Sequence, residues 1–255
     1  MARRFAFCVA VVLIGQLVSA GWIEDRTQAR EFTGADGKVF RYRLAEKAPS
    51  DGSKVPLVVF LHGAGERGTN NVAQLHHGVP DIVKWLDKNE AGYRLFAGQV
   101  PHGKRWVEVK WDSKSHTMPE EPSETMALAL EFLDTQLADE AVDKSRIYVT
   151  GISMGGYGTW DMLCRRPDVF AAALPICGGA DTAQAAKIAQ VPVWTFHGSA
   201  DRSVPVSRSR DMASALWAAG SDAHYREYPD WPHNVWTATY RDGEVLKWFF
   251  KQQKK

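Results

Sequence analysis

Cysteine is scarce in this chain: three in 255 residues, at positions 8, 164 and 177. Nothing here resembles the cysteine spacing of a small disulfide-stapled scaffold. Charge of one sign is also missing. The formal net charge is +1, so no basic surface points to nucleic acid or to an anionic membrane. The eight histidines are dispersed, and no His/Asp/Glu cluster has metal-ligand spacing, so no metal and no cofactor are expected. Internal repeats are absent, and no linker is rich enough in Pro, Gly or Ser to divide the chain.

Long apolar runs are equally rare, and the single prominent one is at the N-terminus. Arg3 and Arg4 precede FAFCVAVVLIGQLV, and Val18-Ser19-Ala20 follows with small residues at −3 and −1. The run falls short of the roughly 18 residues of a membrane span and reads as a secretory signal peptide over 1–20. A single exported domain over 21–255, secreted or periplasmic and free of the membrane after cleavage, is the expectation. Cys164 and Cys177, the two cysteines left, fall at opposite ends of the expected sheet, too far apart for the Cα separation of about 7 Å or less that a disulfide requires.

What remains is an ordinary globular composition, 45% apolar and 24% charged, with strand and helix signals in alternation. KVFRYRLAE, VPLVVFLHG, YRLFAGQV, RIYVTG, VFAAALPIC, VPVWTFHG and AHYREYP read as strands. VPDIVKWLDK, SETMALALEFLDTQLA, the segment after RIYVTG, AQAAKIA, SRSRDMASALWAAG and EVLKWFFKQQ read as helices, with Ser123 as an N-cap. Residues 101 to 122 read as irregular. Such alternation predicts a three-layer α/β fold around a mainly parallel sheet.

The chemistry concentrates in TGISMGGYGTW, residues 150–160. Ser153 lies in a G-x-S-x-G pattern with a strand before it and a helix after it, the setting of a nucleophile elbow. Its hydroxyl needs a base. Most of the histidines sit where they orient loops or face solvent, His62 and His197 among them at the ends of buried strands. His233, in EYPDWPHNVW after the last strand, falls on the same sheet edge as the serine turn. Asp201, in the loop after VPVWTFHG, is the candidate acid; Asp230 is its rival, with Asp181 and Asp211 weaker ones. The order Ser153, Asp201, His233 is the chain order of α/β-hydrolases. Oxyanion donors are expected from the backbone amides of Met154 and of Ala64, the latter in the HGAGERGTN loop, with Glu66 and Arg67 pairing to hold that loop. Trp106, Trp111, Trp231 and Trp236 are candidates for a platform under a sugar ring or an aromatic acyl group.

LHGAGERG, the stretch from PSETMALALEF through GISMGGYGTW to PICGGAD, HGSADRSVPVSRSRDMASAL and YPDWPHNVW together resemble secreted bacterial α/β-hydrolases. The resemblance is to the group described as predicted peptidases or phospholipase/carboxylesterase-like proteins, similar to feruloyl-esterase-like members of the first carbohydrate esterase family. It covers nearly the whole chain after residue 20. It implies Ser153 as nucleophile, Asp201 as acid and His233 as base. One departure is GQVPHGKRW, where such proteins often carry Pro-Gln-Cys-Pro, and it alters one rim of the site. The short segment between AAALPIC and VPVWTFHG leaves no room for a large cap. The function expected is a serine carboxylic-ester hydrolase working through an acyl-enzyme on plant polysaccharide esters of feruloyl or acetyl type. A general short-chain carboxylesterase comes next, then a serine peptidase, and last a non-catalytic carbohydrate-binding relative.

Overall fold

The computed structural model describes residues 21–254. The expected signal peptide lies outside them. Eight strands form one sheet: β1 Gln28–Thr33, β2 Val39–Lys47, β3 Val55–Leu61, β4 Tyr93–Gln99, β5 Val142–Ile152, β6 Ala172–Ile176, β7 Trp194–Gly198 and β8 His224–Tyr228. Their spatial order is β1-β2-β4-β3-β5-β6-β7-β8. β1 and β2 are antiparallel to their neighbours, and all pairs from β4 onward are parallel.

The helices cover both faces of the sheet: α1 Val79–Asn89, α2 Glu124–Ala138, α3 Met154–Arg165, the four-residue α4 Ala185–Ile188, α5 Ser207–Ala218, α6 Trp236–Arg241 and α7 Gly243–Lys251. Central strands covered on both faces must be apolar on both. β3, VPLVVFL, is buried at every residue for that reason. One core packs Leu57, Val59, Leu61 and Val149 against α2 and α3. The other packs Val58, Phe60, Tyr148 and Ile152 against α1 and α7. Ser123 caps α2 as expected, accepting from the Met126 amide at 3.1 Å.

Two elements were not foreseen. β1 is exposed along nearly its whole length, so it carries no alternating apolar signal. α6 is six residues long, too short for a helical period to show. Residues 101–122 are irregular, as the sequence suggests. Between β6 and β7 stand one 3-10 turn, Thr182–Gln184, and α4. The architecture is that of an α/β-hydrolase without a cap.

Gly155 is where the fold tolerates least. A Cβ there would lie 1.8 Å from the carbonyl oxygen of Leu61, because the first turn of α3 runs against the end of β3. Backbone, unlike a side-chain tip, cannot step aside. Gly155→Ala is therefore expected to cost ~3 kcal/mol or more, from the overpacking it forces. Urea denaturation measures this, and a midpoint equal to wild type would contradict the contact.

Candidate active site

β5 delivers Ser153 to the sheet edge in an unusual backbone state, φ 54° and ψ −116°. Positive φ is rare for a residue with a Cβ and persists where the surroundings over-determine it. Here the Ser153 amide donates to the Ile176 carbonyl at 2.9 Å, tying the turn to β6. Gly151 precedes the turn, and a Cβ on it would meet the Gly155 carbonyl oxygen at 2.4 Å. The tight reversal thus turns the serine hydroxyl out of the sheet and sets the N-terminus of α3 directly behind it.

The three triad candidates converge. Ser153 Oγ lies 2.8 Å from His233 Nε2, and His233 Nδ1 lies 2.6 Å from Asp201 Oδ2. The Asp201 carboxylate is fully shielded from solvent, whereas the His233 side chain keeps 21% exposure and so opens to the outside. Two further bonds fix the other carboxylate oxygen: the Ser203 and Val204 amides donate to Oδ1 at 2.8 and 3.0 Å. Burial acts to raise the Asp201 pKa, but hydrogen bonds from His197, His233 and the Val204 amide outweigh it. The group is held far below the ordinary carboxylate range and is ionised at neutral pH.

The loops that carry acid and base are laced together. Ser199 and Ala200 donate their amides to the carbonyls of Tyr228 and Trp231, both at 3.0 Å, and the Asp230 amide donates to Ser199 Oγ at 2.8 Å. Asp230, the rival acid, is exposed on this loop with φ 58°. Asp181 is used elsewhere, accepting from the Met118 and Ala183 amides. The Cys177 thiol, buried at the end of β6, donates to the His233 carbonyl at 3.1 Å. Both Cys164 and Cys177 are free.

Cys177, Asp201 and His233 hold their ligand-capable atoms within 4.8 Å of one another. A metal there would have to remove the proton shared by His233 and Asp201. It would also need a thiolate where burial and the neighbouring Asp201 charge hold the thiol protonated. The donor set fits a hydrogen-bonded dyad behind a serine better than a metal centre.

The loop after β3 passes beside the serine: a Cβ on Gly63 would lie 3.6 Å from Ser153 Cβ. Ala64 opens a 3-10 turn there, and Met154 opens α3. The first amides of a helical turn lack an acceptor within it, so both are free by geometry to face a developing oxyanion. The Ala64 peptide is held by Arg67 Nε, which donates to its carbonyl at 2.9 Å. The expected Glu66–Arg67 pair does not form. Arg67 lies over Trp111 instead, and Glu66 is buried near His77 Nε2 at 3.8 Å. His62 anchors the same loop. Its Nε2 accepts from the Val100 amide at 2.9 Å and its Nδ1 donates to the Gly63 carbonyl at 2.6 Å. Burial pushes its pKa down to about 4, so the neutral ring persists.

The four tryptophans separate. Trp106 is fully buried against Phe40 and His62, and its Nε1 donates to the His62 carbonyl at 3.1 Å. No substrate ring can reach it, and its expected place in a platform is corrected to a support for the His62 turn. Trp111 is half-buried between the guanidinium groups of Arg67 and Arg105, at 5.7 and 4.5 Å. Trp236 stands edge-on to His233 at 5.2 Å. Trp231, beside His233 on the base loop, is 43% exposed and leans on Tyr228. Of the four, Trp236 alone lies against a triad ring, and Trp231 exposes its indole on the loop that carries His233.

The model of the dienelactone hydrolase family matches residues 45–245. Poly(3-hydroxyalkanoate) depolymerase C of Paucimonas lemoignei is 47% identical over an alignment of 190 residues that covers 70% of this chain. The chain spans 40% of that relative's length. A thermostable esterase of known crystal structure is 35% identical and superimposes with a TM-score of 0.81, over 90% of this chain and 64% of its own. A ferulic acid esterase, 18% identical, aligns over 88% of this chain and 98% of its own with a TM-score of 0.62, and so shares the fold.

Proposed function

The chain belongs to the dienelactone hydrolase family, and on that premise we propose that it is a serine carboxylic-ester hydrolase working through an acyl-enzyme. One observation carries the reading: the unbroken hydrogen-bonded line from Ser153 Oγ through His233 to the buried Asp201. His233 Nε2 takes the serine proton as Oγ attacks the ester carbonyl. The oxyanion forms against the Ala64 and Met154 amides, backed by the N-terminus of α3. His233 then protonates the leaving alcohol, and the same histidine activates water to release the acid. Asp201 stays ionised throughout and stabilises the imidazolium. The basic start and apolar run of residues 1–20 support export as the setting for this activity.

For the substrate, we favour a bulky or polymeric ester. His233 is partly open to solvent, the segment between β6 and β7 builds no cap, and Trp231 offers an exposed ring on the loop that carries His233. Feruloyl or acetyl esters on polysaccharide fit such an open site. An aliphatic polyester fits it as well, and the 47% identity to a poly(3-hydroxyalkanoate) depolymerase favours that second reading. Short p-nitrophenyl esters, methyl ferulate, acetylated xylan, hydroxybutyrate oligomers and a peptide amide, assayed side by side, distinguish them. Polymer-derived esters are expected to lead, with amide cleavage weakest. Trp231→Ala should raise KM on those esters about tenfold, from the loss of a stacking partner, and leave kcat on p-nitrophenyl acetate unchanged. Equal rates across all the esters, together with no effect of Trp231→Ala, would argue for a general short-chain esterase.

A further inference from the structure

Behind the acid stands a second histidine. His197, at the end of β7 and four residues before Asp201, is fully buried. Its Nε2 lies 3.1 Å from Asp201 Oδ2, the same oxygen that accepts from His233 Nδ1, and 3.1 Å from the Val204 carbonyl. Its Nδ1 lies 2.8 Å from Ser209 Oγ on α5, itself fully buried.

This arrangement fixes where the proton sits. Nε2 faces an ionised carboxylate and a carbonyl, and neither can donate, so Nε2 carries the hydrogen, which bonds to the Val204 carbonyl and lies beside Asp201 Oδ2. Nδ1 is hydrogen-bonded to the Ser209 hydroxyl at the other end of the ring. The neighbouring carboxylate across the strand pair, Glu227 on β8, is engaged by Arg210 at 2.8 and 2.6 Å and by Tyr225 at 2.5 Å. Asp201 is thus the carboxylate that His197 serves.

We propose that His197, held by Ser209, is a positioning residue for the triad: its Nε2–H fixes the rotation of the Asp201 carboxylate so that Oδ2 stays on the His233 Nδ1–H. The proposal rests on the serine-esterase reading above. Without His197, Oδ2 keeps only the His233 donor, and the two amides on Oδ1 are left to hold the carboxylate's rotation without a neighbour behind Oδ2. The line from α5 through Ser209 and His197 to Asp201 makes the acid's orientation a property of helix packing rather than of its own loop alone. Ser209 has a second acceptor available, the Gly178 carbonyl at 3.3 Å, so its loss should be felt less than that of His197.

The test compares His197→Phe, which keeps a ring but donates nothing, with His197→Gln, whose side-chain amide can restore a donor toward Asp201. His197→Phe is expected to lower kcat on a p-nitrophenyl ester by at least about tenfold, as for loss of a hydrogen bond to a charged group. KM should stay near wild type. The low-field proton resonance of His233 Nδ1–H should move or broaden in the same variant. His197→Gln should recover most of the rate, and Ser209→Ala should show a smaller fall in the same direction. A folded His197→Phe with wild-type kcat and an unmoved resonance overturns the proposal, as does a Gln variant as slow as the Phe variant. If the Phe variant does not fold, the Gln and Ser209→Ala rates and spectra decide by the same criteria. A wild-type protein that hydrolyses no ester and takes no fluorophosphonate on Ser153 would instead overturn the esterase reading itself.

Discussion

Ser153→Ala is expected to lower kcat on any hydrolysed ester by about a millionfold, the scale at which loss of a triad serine is felt. The reason is geometric. Ser153 Oγ is 2.8 Å from His233 Nε2 and stands at the opening of α3, which begins at Met154. No neighbouring side chain offers a substitute: the buried Cys177 thiol points to the His233 carbonyl rather than to its ring nitrogen. Intact-mass analysis after fluorophosphonate treatment checks the chemistry directly. One adduct on the wild-type protein and none on the variant is the expected result. An adduct that survives Ser153→Ala would move the nucleophile elsewhere. The backbone supplies a second signature. Because Ser153 holds φ 54° and ψ −116°, strain of order 1–3 kcal/mol is stored at the residue. Ser153→Gly, free to adopt those angles, should raise the urea midpoint while abolishing activity. A fall in that midpoint would mean that the turn is not strained.

How much of this could be read beforehand differs by residue, and the differences have causes. The central strands were legible because burial on both faces forces continuous apolar runs such as VPLVVFL. The triad candidates were legible because a parallel sheet sends every strand's following loop to one edge, so three loop positions in the right order become neighbours. β1 was not legible: it pairs with β2 residue for residue, but apart from Phe32, which packs on Phe132, its side chains face solvent. Trp106 was misplaced for a different reason. An irregular segment has no period from which to infer direction, and its indole turns inward to satisfy the His62 carbonyl. From sequence, His197 is a loop-orienting residue at the end of a buried strand. The available signal was its spacing, four residues before the acid at the end of a buried strand, but the sequence cannot show which carboxylate oxygen it meets.

The site's rigidity has a related origin. Acid and base lie on separate loops, yet Ser199, Ala200 and Asp230 bond those loops to one another through their backbones. Gly198 permits the approach, since a Cβ there would meet the carbonyl oxygens of Trp231 and Pro232 at 2.4 Å. The distance between Asp201 and His233 is therefore set mostly by backbone contacts. What side chains set is orientation: which oxygen faces which nitrogen, and where each proton lies.

Orientation is what Asp201→Asn destroys. The carboxylate accepts three hydrogen bonds, two on Oδ1 from the Ser203 and Val204 amides and one on Oδ2 from His233, and His197 Nε2 lies 3.1 Å from that same Oδ2. An asparagine has one accepting end and one donating end. With its NH2 toward Oδ1's place it opposes two backbone N–H groups that cannot move. With its NH2 toward Oδ2's place it relieves the backbone but meets both histidines as a donor. His233 can answer only by moving its proton to Nε2, which then points at Ser153 and can no longer accept the serine proton. The expected loss in kcat is about 10⁴-fold at neutral pH, the scale of a triad histidine held in the wrong tautomer. Asp230→Asn, on the exposed rival, should stay near wild type; the reverse result would reassign the acid. Stability carries an independent sign. Asp201 titrates far below its unfolded value, so its ionised form stabilises the fold above an unfolded pKa of about 3.9. That contribution fades as pH falls through the folded pKa. Asp201→Asn should thus be less stable than wild type at pH 7, and the gap should narrow on acidification below about pH 4. Urea midpoints for the two proteins across that range measure it, and a gap that widens toward low pH would show that Asp201 is not the stabilising carboxylate.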